Sequence, residues 1–327
     1  MPNQLKFDPT RTTTLRRRWE ADMRRRFKKV DRANRILIVT DDVFGLKSST
    51  TLQTFQEREA WKFLTDTQKT TQYRAWLQQQ IDAEILTTDG ITGQPWTGTY
   101  VESAYRRGTV RAYTETNIAK LIEEPSIFAG GQAEFLRSAF SHPETLSKIE
   151  FISTRAFTDL KGVTDAMSQQ LSRHLANGLV QGSGPLAIAR EMSKSIGALS
   201  RNRAEVIART ETIAAHAEGQ LDAFERLGVE QVGIEAEWQT AGDERVCPLC
   251  NPLDGVVMPV KEARGLIPRH PNCRCSWSPA SVIQKQPGQL WGRERKKAVK
   301  ESIDAERVKG SFASKKRKSS WLGKNRI

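Results

Sequence analysis

The sequence predicts a mainly α-helical protein with a small C-terminal α+β region and a basic extension at each end. Apolar residues recur every three or four positions over most of the chain, which is typical of helices. A short alternating run, Val232 to Trp238, predicts a strand just before the cysteines. The net charge of +13 over 327 residues is concentrated near the two ends, and the length favours about two domains.

The first predicted helix follows a turn at Asp8-Pro9, with Thr13 or Thr14 as its N-cap. Its apolar face holds Leu15, Trp19, Met23, Phe27 and Val30. Residues 11–35 carry eleven Arg or Lys against three acids, so the other face suits a polyanion such as DNA. The candidate phosphate contacts here are Arg16, Arg17, Arg18, Arg24, Arg25, Arg26, Lys28 and Lys29. Ile36 to Val39 is either a strand or the end of this helix.

The middle of the chain has two helical stretches, 52–122 and 155–227, which are separated by a predicted connector at 124–148. Pro125, Gly130-Gly131 and His142-Pro143 suggest the connector. Within the second stretch, Pro185 predicts a helix start. A long helix is expected from about Arg203, with Gly228 as its C-cap.

The C-terminal tail is the second basic segment. Residues 285–327 contain fourteen Arg or Lys against four acids. A helix is expected around 293–309, and the densest cationic run supplies further candidate DNA contacts: Lys315, Lys316, Arg317 and Lys318. The alternative for both basic segments is a pair of solvated ends without a ligand.

All four cysteines lie within a short segment that also contains a histidine. Cys247 and Cys250 form a CxxC turn, and His270, Cys273 and Cys275 follow about twenty residues later. This spacing is typical of a structural zinc site, with five candidate ligands for four positions, so His270 or Cys275 is left over. A full set of protein ligands leaves no position for a catalytic water. Reduced core cysteines and a disulfide framework are the alternatives.

Two polar groups flank this segment. Asp243, Glu244 and Arg245 could cap or brace the cysteine turn. A second polar group lies on the long helix and is interpreted as a bracing network between that helix and the cysteine segment, the predicted zinc knuckle: Arg209, Thr210, Glu211 and His216. No glycine-rich phosphate loop is present, and we expect the protein not to be an enzyme.

The N-terminus lacks a secretory pattern, and no apolar run is long enough to span a membrane. We therefore expect the protein to be made in the cytoplasm, where thiols stay reduced and clustered cysteines favour a metal.

Three segments of the long helix and the cysteine region form a distinctive set: Arg203-Ala-Glu-Val-Ile-Ala-Arg-Thr-Glu211, Trp238-Gln-Thr-Ala-Gly-Asp-Glu-Arg-Val-Cys-Pro-Leu-Cys250 and Pro268-Arg-His-Pro-Asn-Cys-Arg-Cys275. Together they resemble the Mu F-like family of phage head morphogenesis, or minor head, proteins. The openings at 8–18 and 42–46 also look like those of such proteins. The resemblance implies a virion protein inside the capsid, associated with the portal or the major capsid protein, that aids head assembly and DNA packaging or ejection.

These observations predict five segments: a basic helical arm at 1–45, a helical domain at 46–148, the helical part of a Mu F-like domain at 149–228, its zinc-knuckle part at 229–280 and a basic tail at 281–327. The alternatives are a zinc-containing regulator that reads a DNA sequence and a metal-dependent nuclease.

Overall fold

A computed structural model describes residues 8–47, 61–118, 131–227, 234–282 and 285–313 of the chain. The described part is mainly helical with one small sheet, which confirms the predicted fold class. Its helices are α1 (Thr13–Arg35), α2 (Asp66–Glu84), α3 (Gly98–Ile118), α4 (Gly131–Ser141), α5 (Pro143–Val180), α6 (Pro185–Leu199), α7 (Glu205–Arg226), α8 (Val260–Ala263) and α9 (Gly292–Ala313). Its strands are β1 (Ile234–Gln239), β2 (Val257–Met258) and β3 (Ser276–Ser281).

The chain forms two compact units, each built from separate stretches of sequence. The helical unit contains the described residues of 14–103 and 146–212. The knuckle unit contains those of 1–13, 104–145 and 213–327. Helices α3, α5 and α7 each contribute residues to both units.

The core of the helical unit includes the predicted apolar face of α1. Its five apolar residues are all buried, and Trp19 stacks on Tyr100 with ring centroids 5.2 Å apart. Buried Asn34 accepts a 2.7 Å hydrogen bond from the Tyr73 hydroxyl, while its amide lies 3.3 Å from the sulfur of Met192. One satisfied polar side chain thus links α1, α2 and α6.

The end of α1 is a π-helical turn at Ile36–Thr40, in which the Asp41 N–H donates to the Ile36 carbonyl at 2.9 Å. Ile36 to Val39 therefore ends the helix and is not a strand. Helix α6 begins at Pro185 as predicted, after Gly184 in an extended conformation. Gly228 lies outside the described residues.

The predicted connector at 124–148 is wrong over its described part, because α4 and the start of α5 occupy it. Phe135 and Ala139 of α4 are buried, so tertiary packing supplies the energy for a short helix. Proline is well tolerated in the first helical turn, and α5 begins at Pro143, so the His-Pro pair starts a helix where it was interpreted as a break.

The knuckle unit is built on an antiparallel sheet with strand order β2-β1-β3. Trp238 of β1 faces Trp277 of β3 in register, and the two buried rings meet edge to face at 5.2 Å. The amide of Gln220 on α7 donates to the Trp277 carbonyl and accepts from its N–H at 3.1 Å. The Gln220 side chain thereby forms the hydrogen bonds with the β3 backbone that a neighbouring strand would otherwise form.

Helices α3 and α7 approach closely at two glycines. A Cβ added to Gly108 would lie 2.0 Å from the His216 carbonyl oxygen, and one added to Gly219 would lie 2.2 Å from the Tyr105 carbonyl oxygen. Both distances are far inside van der Waals contact and involve backbone, so neither position accepts a larger residue.

We expect Gly108→Ala or Gly219→Ala to lower the free energy of unfolding by about 2–4 kcal/mol, since the helices must separate to admit the methyl group. Gly162→Ala on α5 is the matched control, because no atom lies within 4 Å of its added Cβ. That change should stabilise the protein by about 0.5–1 kcal/mol through helix propensity. Chemical denaturation measures all three, and equal effects at Gly108 and Gly162 would contradict the close crossing.

A buried histidine predicts a pH dependence. Burial, with a smaller contribution from Arg111, lowers the pKa of His216 to about 3. Because this folded value lies below the unfolded value of about 6.5, the stabilisation is fully present above pH 6.5 and is lost as the pH falls toward 3. We expect the free energy of unfolding to fall by about 1.4 kcal/mol per pH unit from this residue. His216→Gln should remove that part of the slope in equilibrium denaturation between pH 4 and 7; an unchanged slope would contradict the assignment.

Candidate metal centre

The first half of the site is the CxxC turn after β1. The N–H groups of Cys250 and Asn251 both donate to the Cys247 carbonyl, at 3.0 and 2.9 Å, which closes a tight turn. The loop then returns to the sheet, where Trp238 N–H donates to the Val256 carbonyl and Gly255 N–H to the Trp238 carbonyl. Backbone pairing with β1 therefore positions both sulfurs of this turn.

The second half is the turn that leads into β3. The Cys273 N–H donates to the His270 carbonyl at 3.1 Å, and Asn272 between them adopts a left-handed conformation with φ of 64°. Asparagine tolerates this region better than most residues, which suits it to the turn. Cys273 and Cys275 are buried, and β3 begins at the next residue.

The two halves bring all five predicted ligands together. The Nε2 atom of His270 lies 3.0 Å from the sulfur of Cys247 and 3.3 Å from that of Cys250. The sulfurs of Cys250 and Cys273 are 4.0 Å apart. The donor atoms form two groups that share Cys250, and within each group all donor atoms lie within 4.8 Å of one another. One group contains Cys247, Cys250 and His270, and the other contains Cys250, Cys273 and Cys275. These clusters could hold a metal ion.

The donor chemistry and the spacing fit a tetrahedral ion. With metal–sulfur bonds of about 2.3 Å, two sulfurs on one tetrahedral ion lie about 3.8 Å apart, close to the Cys250–Cys273 distance. The Nδ1 atom of His270 donates to the Pro271 carbonyl at 2.8 Å. This bond fixes the ring orientation so that Nε2 faces the sulfurs, as in many metal-bound histidines.

Hydrogen bonds within the site shift the pKa values of its donor groups in both directions, and those with Cys273 and Cys275 raise the pKa of Cys250. A hydrogen bond with Cys273 raises the pKa of His270 to about 9, and the nearby Cys247 adds to this effect. Hydrogen bonds with Cys250 and Cys275 lower the pKa of Cys273. A metal ion would replace the shared protons in this network, because its ligands bind without them.

Asp243 braces the site as the sequence suggested. Its carboxylate accepts two hydrogen bonds from the Arg274 guanidinium, at 2.5 and 2.6 Å, and so links the two cysteine turns. The Arg274 hydrogen bonds lower the pKa of Asp243 to about 2. A bidentate pair of this kind defines geometry as well as charge.

The predicted bracing network on the long helix is different from the observed one. Glu211 is buried and pairs with Arg155 of α5, within the helical unit. The contacts between α7 and the knuckle instead run through Arg264, whose guanidinium pairs with three carboxylates: Glu218, Asp222 and Glu225. These acids lie four and three residues apart on one helix face, and that spacing was the signal that could have identified the brace.

Helix α9 packs against the two turns that carry the Cys/His cluster. Its Ala298 belongs to the same buried cluster as Cys250, Cys273 and Trp277. The Ser302 hydroxyl donates to the Leu249 carbonyl, inside the CxxC turn, at 2.7 Å. Arg269, beside His270, pairs with Glu306 at 2.7 Å. The sequence predicted this helix but placed it in a basic tail.

The candidate DNA-contacting residues have different surroundings. Arg16 is almost completely buried. Arg26 stacks on Trp96 and donates to the Glu84 carbonyl, and Arg24 pairs with Glu205. The exposed members of the set are Arg17, Arg18, Arg25, Lys28 and Lys29, of which Arg25 pairs with Asp22 and Lys29 with Glu84. Lys315, Lys316, Arg317 and Lys318 lie outside the described residues.

Comparison with known proteins gives a match to a family model. Residues 169–278 match the family model described as Phage Mu protein F like protein. The matched segment runs from α5 into β3 and includes the whole Cys/His cluster. No curated protein and no solved structure matches the chain significantly. The Mu F-like resemblance predicted from the sequence is thereby confirmed over these residues. Among the described residues, no helix is long and apolar enough to cross a membrane.

Proposed function

We propose that this chain, a Mu F-like phage head morphogenesis protein by its match over residues 169–278, is a minor head protein of a tailed bacteriophage. The observation that carries the proposal is the match itself, which spans α6, α7 and the two turns that carry the Cys/His cluster as one block. Its proposed place is the capsid interior near the portal, after synthesis in the host cytoplasm. The proposed partners are the portal or major capsid protein and double-stranded DNA, and the proposed role is non-enzymatic.

Within that role, we propose that the Cys/His cluster binds a structural zinc ion. The proposed ligands are Cys247, Cys250, His270 and Cys273, because donor distances of 3.0, 3.3 and 4.0 Å connect these four. Cys275, like Cys273, groups with Cys250 and not with Cys247 and His270, and Cys273 is preferred because its sulfur lies 4.0 Å from that of Cys250. When bound, zinc would join the two turns and add folding energy that such small loops lack. Four protein ligands leave no position for an activated water.

We expect Cys250→Ala to abolish zinc binding and to lower the free energy of unfolding by several kcal/mol, since zinc contributes on the order of 10 kcal/mol in small zinc domains. Cys275→Ala is the matched control and should retain about one zinc per chain. Elemental analysis of the purified full chain and chemical denaturation measure the two effects. Equal zinc loss in both variants would refute the proposed ligand set, and full zinc retention in both would refute the site.

The DNA-binding proposal rests on the exposed face of α1. Arg17, Arg18 and Lys28 are exposed and form no ion pair with any residue that the structure describes. The opposite face of the same helix is buried in the core, so these cations are held on a rigid element. Exposed cations on α9 extend the proposal to the knuckle unit: Arg293, Lys296, Lys297 and Lys300. Contacts of this kind bind duplex DNA without reading its sequence.

We expect the triple change Arg17→Glu, Arg18→Glu and Lys28→Glu to weaken binding to a 30-base-pair duplex of arbitrary sequence. The slope of log K against log salt should become shallower by about 0.9 for each phosphate that the variant no longer neutralises. Fluorescence anisotropy between 50 and 300 mM salt measures it. Point changes are used because deleting α1 or α9 would also remove buried residues.

The matched control for DNA binding is Arg137→Glu, Lys161→Glu and Arg173→Glu, three exposed cations on α4 and α5. If the control weakened binding as much as the test variant, DNA contact through α1 would be refuted. A strong preference for one duplex over unrelated ones would favour the sequence-reading regulator instead.

A further inference from the structure

A groove with an apolar floor and a basic rim crosses the helical unit where α1 ends and α6 begins. Two adjoining depressions share Val39 and form this basic-rimmed groove. Its floor is apolar and consists of Ile36, Val39, Leu46 and Leu186. Its rim is cationic and consists of Lys28, Arg32, Arg35, Lys47 and Arg190.

The floor leaves large apolar side chains in water. The exposed fractions of Ile36 and Leu186 are 42% and 59%. Single exposed apolar residues are common on protein surfaces, but these two line adjoining depressions that share Val39. Covering them would contribute binding energy from the hydrophobic effect.

The groove is built on ordered contacts and does not need to form on binding. The π-helical turn at 36–40 packs against α6, and the Ser193 hydroxyl on α6 donates to Asp31 of α1 at 2.6 Å. On the other wall, the Asp42 carboxylate accepts the N–H groups of Leu46 and Lys47, at 2.8 and 3.0 Å. A preformed surface loses little conformational entropy when it is covered.

The rim sets the charge of the occupant. The two depressions are lined by five cations and one carboxylate, Asp31, while the Asp42 carboxylate on the wall accepts backbone N–H groups. None of the five cations forms an ion pair within the described part of the chain. An anionic partner is therefore favoured. Duplex DNA would satisfy the rim, but its phosphates would leave the apolar floor uncovered. A helix with an apolar stripe between Asp or Glu residues satisfies both.

We propose that the basic-rimmed groove docks an acidic amphipathic helix of a partner protein. The apolar stripe of that helix lies on Ile36, Val39 and Leu186, and its carboxylates pair with the rim. This is the helix-in-groove mode of recognition, in which buried apolar contacts supply affinity and rim charges supply orientation. The groove shares no residue with the Cys/His cluster, and of the three α1 cations proposed to contact DNA it includes Lys28 but neither Arg17 nor Arg18.

The proposal can be tested with a synthetic 18-residue helical peptide that carries Leu at every third or fourth position and Glu at most others. Fluorescence anisotropy with the full chain should show saturable binding. Leu186→Glu should weaken it at least tenfold, and so should the double change Lys47→Glu and Arg190→Glu. Ile91→Glu is the control for the first variant, because Ile91 is 98% exposed and does not line the groove. Lys161→Glu with Arg173→Glu is the control for the second, and neither control should change binding.

Three results would overturn the proposal. The first is equal binding of a peptide in which Lys replaces every Glu, because the rim would then not select an anion. The second is peptide binding that neither groove variant weakens, with unfolding temperatures unchanged. The third is self-association in sedimentation velocity that Leu186→Glu abolishes, which would make a second copy of the chain the occupant.

Discussion

The close crossing of α3 and α7 is the contact on which the rest of the knuckle unit depends. Two glycines let the backbones meet, with no room for even a methyl group at Gly108 or Gly219. That approach places Gln220 where its amide satisfies the backbone of β3 at Trp277. It also lets the hydroxyl of Tyr105 on α3 donate to Asp222, one of the three acids that hold Arg264. The sheet and the loop that leads to His270 are thus positioned from one helix surface.

The Cys/His cluster is the second fixed point of the same unit. Cys250, Cys273 and Cys275 pack with Trp238 and Trp277 in the hydrophobic core, so the Cys/His cluster is also part of that core. Helix α9 closes over it through Ala298 and Ser302, and the latter bonds directly to the CxxC turn. Loss of a metal bound here would therefore destabilise the sheet and α9 together. Cys250, Cys273 and Cys275 are buried there, while Cys247 and His270 are only partly buried.

The parts of the fold that follow a regular spacing of residue types could be predicted, and the parts that depend on single tertiary contacts could not. The apolar stripe of α1, the alternation of β1 and the spacing of the cysteines follow regular patterns, and each lies where it was expected. Helix α4 was missed because Gly131 and Pro143 beside it are turn-forming residues, while burial of Phe135 decides its structure. The packing of α9 was missed because Ala298 and Ser302 are small and carry no hydrophobic signal. The glycine crossing is a tertiary contact, and nothing local to Gly108 indicates it.

The cationic side chains of this protein have different roles, because their surroundings differ. On α1, Arg26 stacks on Trp96 and donates to a backbone carbonyl, and these contacts stabilise the fold. Arg17 and Arg18 are exposed, and a uniformly charged partner such as a phosphate backbone can contact them. Arg35 and Arg190 border exposed apolar side chains, and a partner that bears charge alone would leave that surface in water. The same residue type therefore favours three different contacts, and the apolar groups beside each guanidinium decide which one.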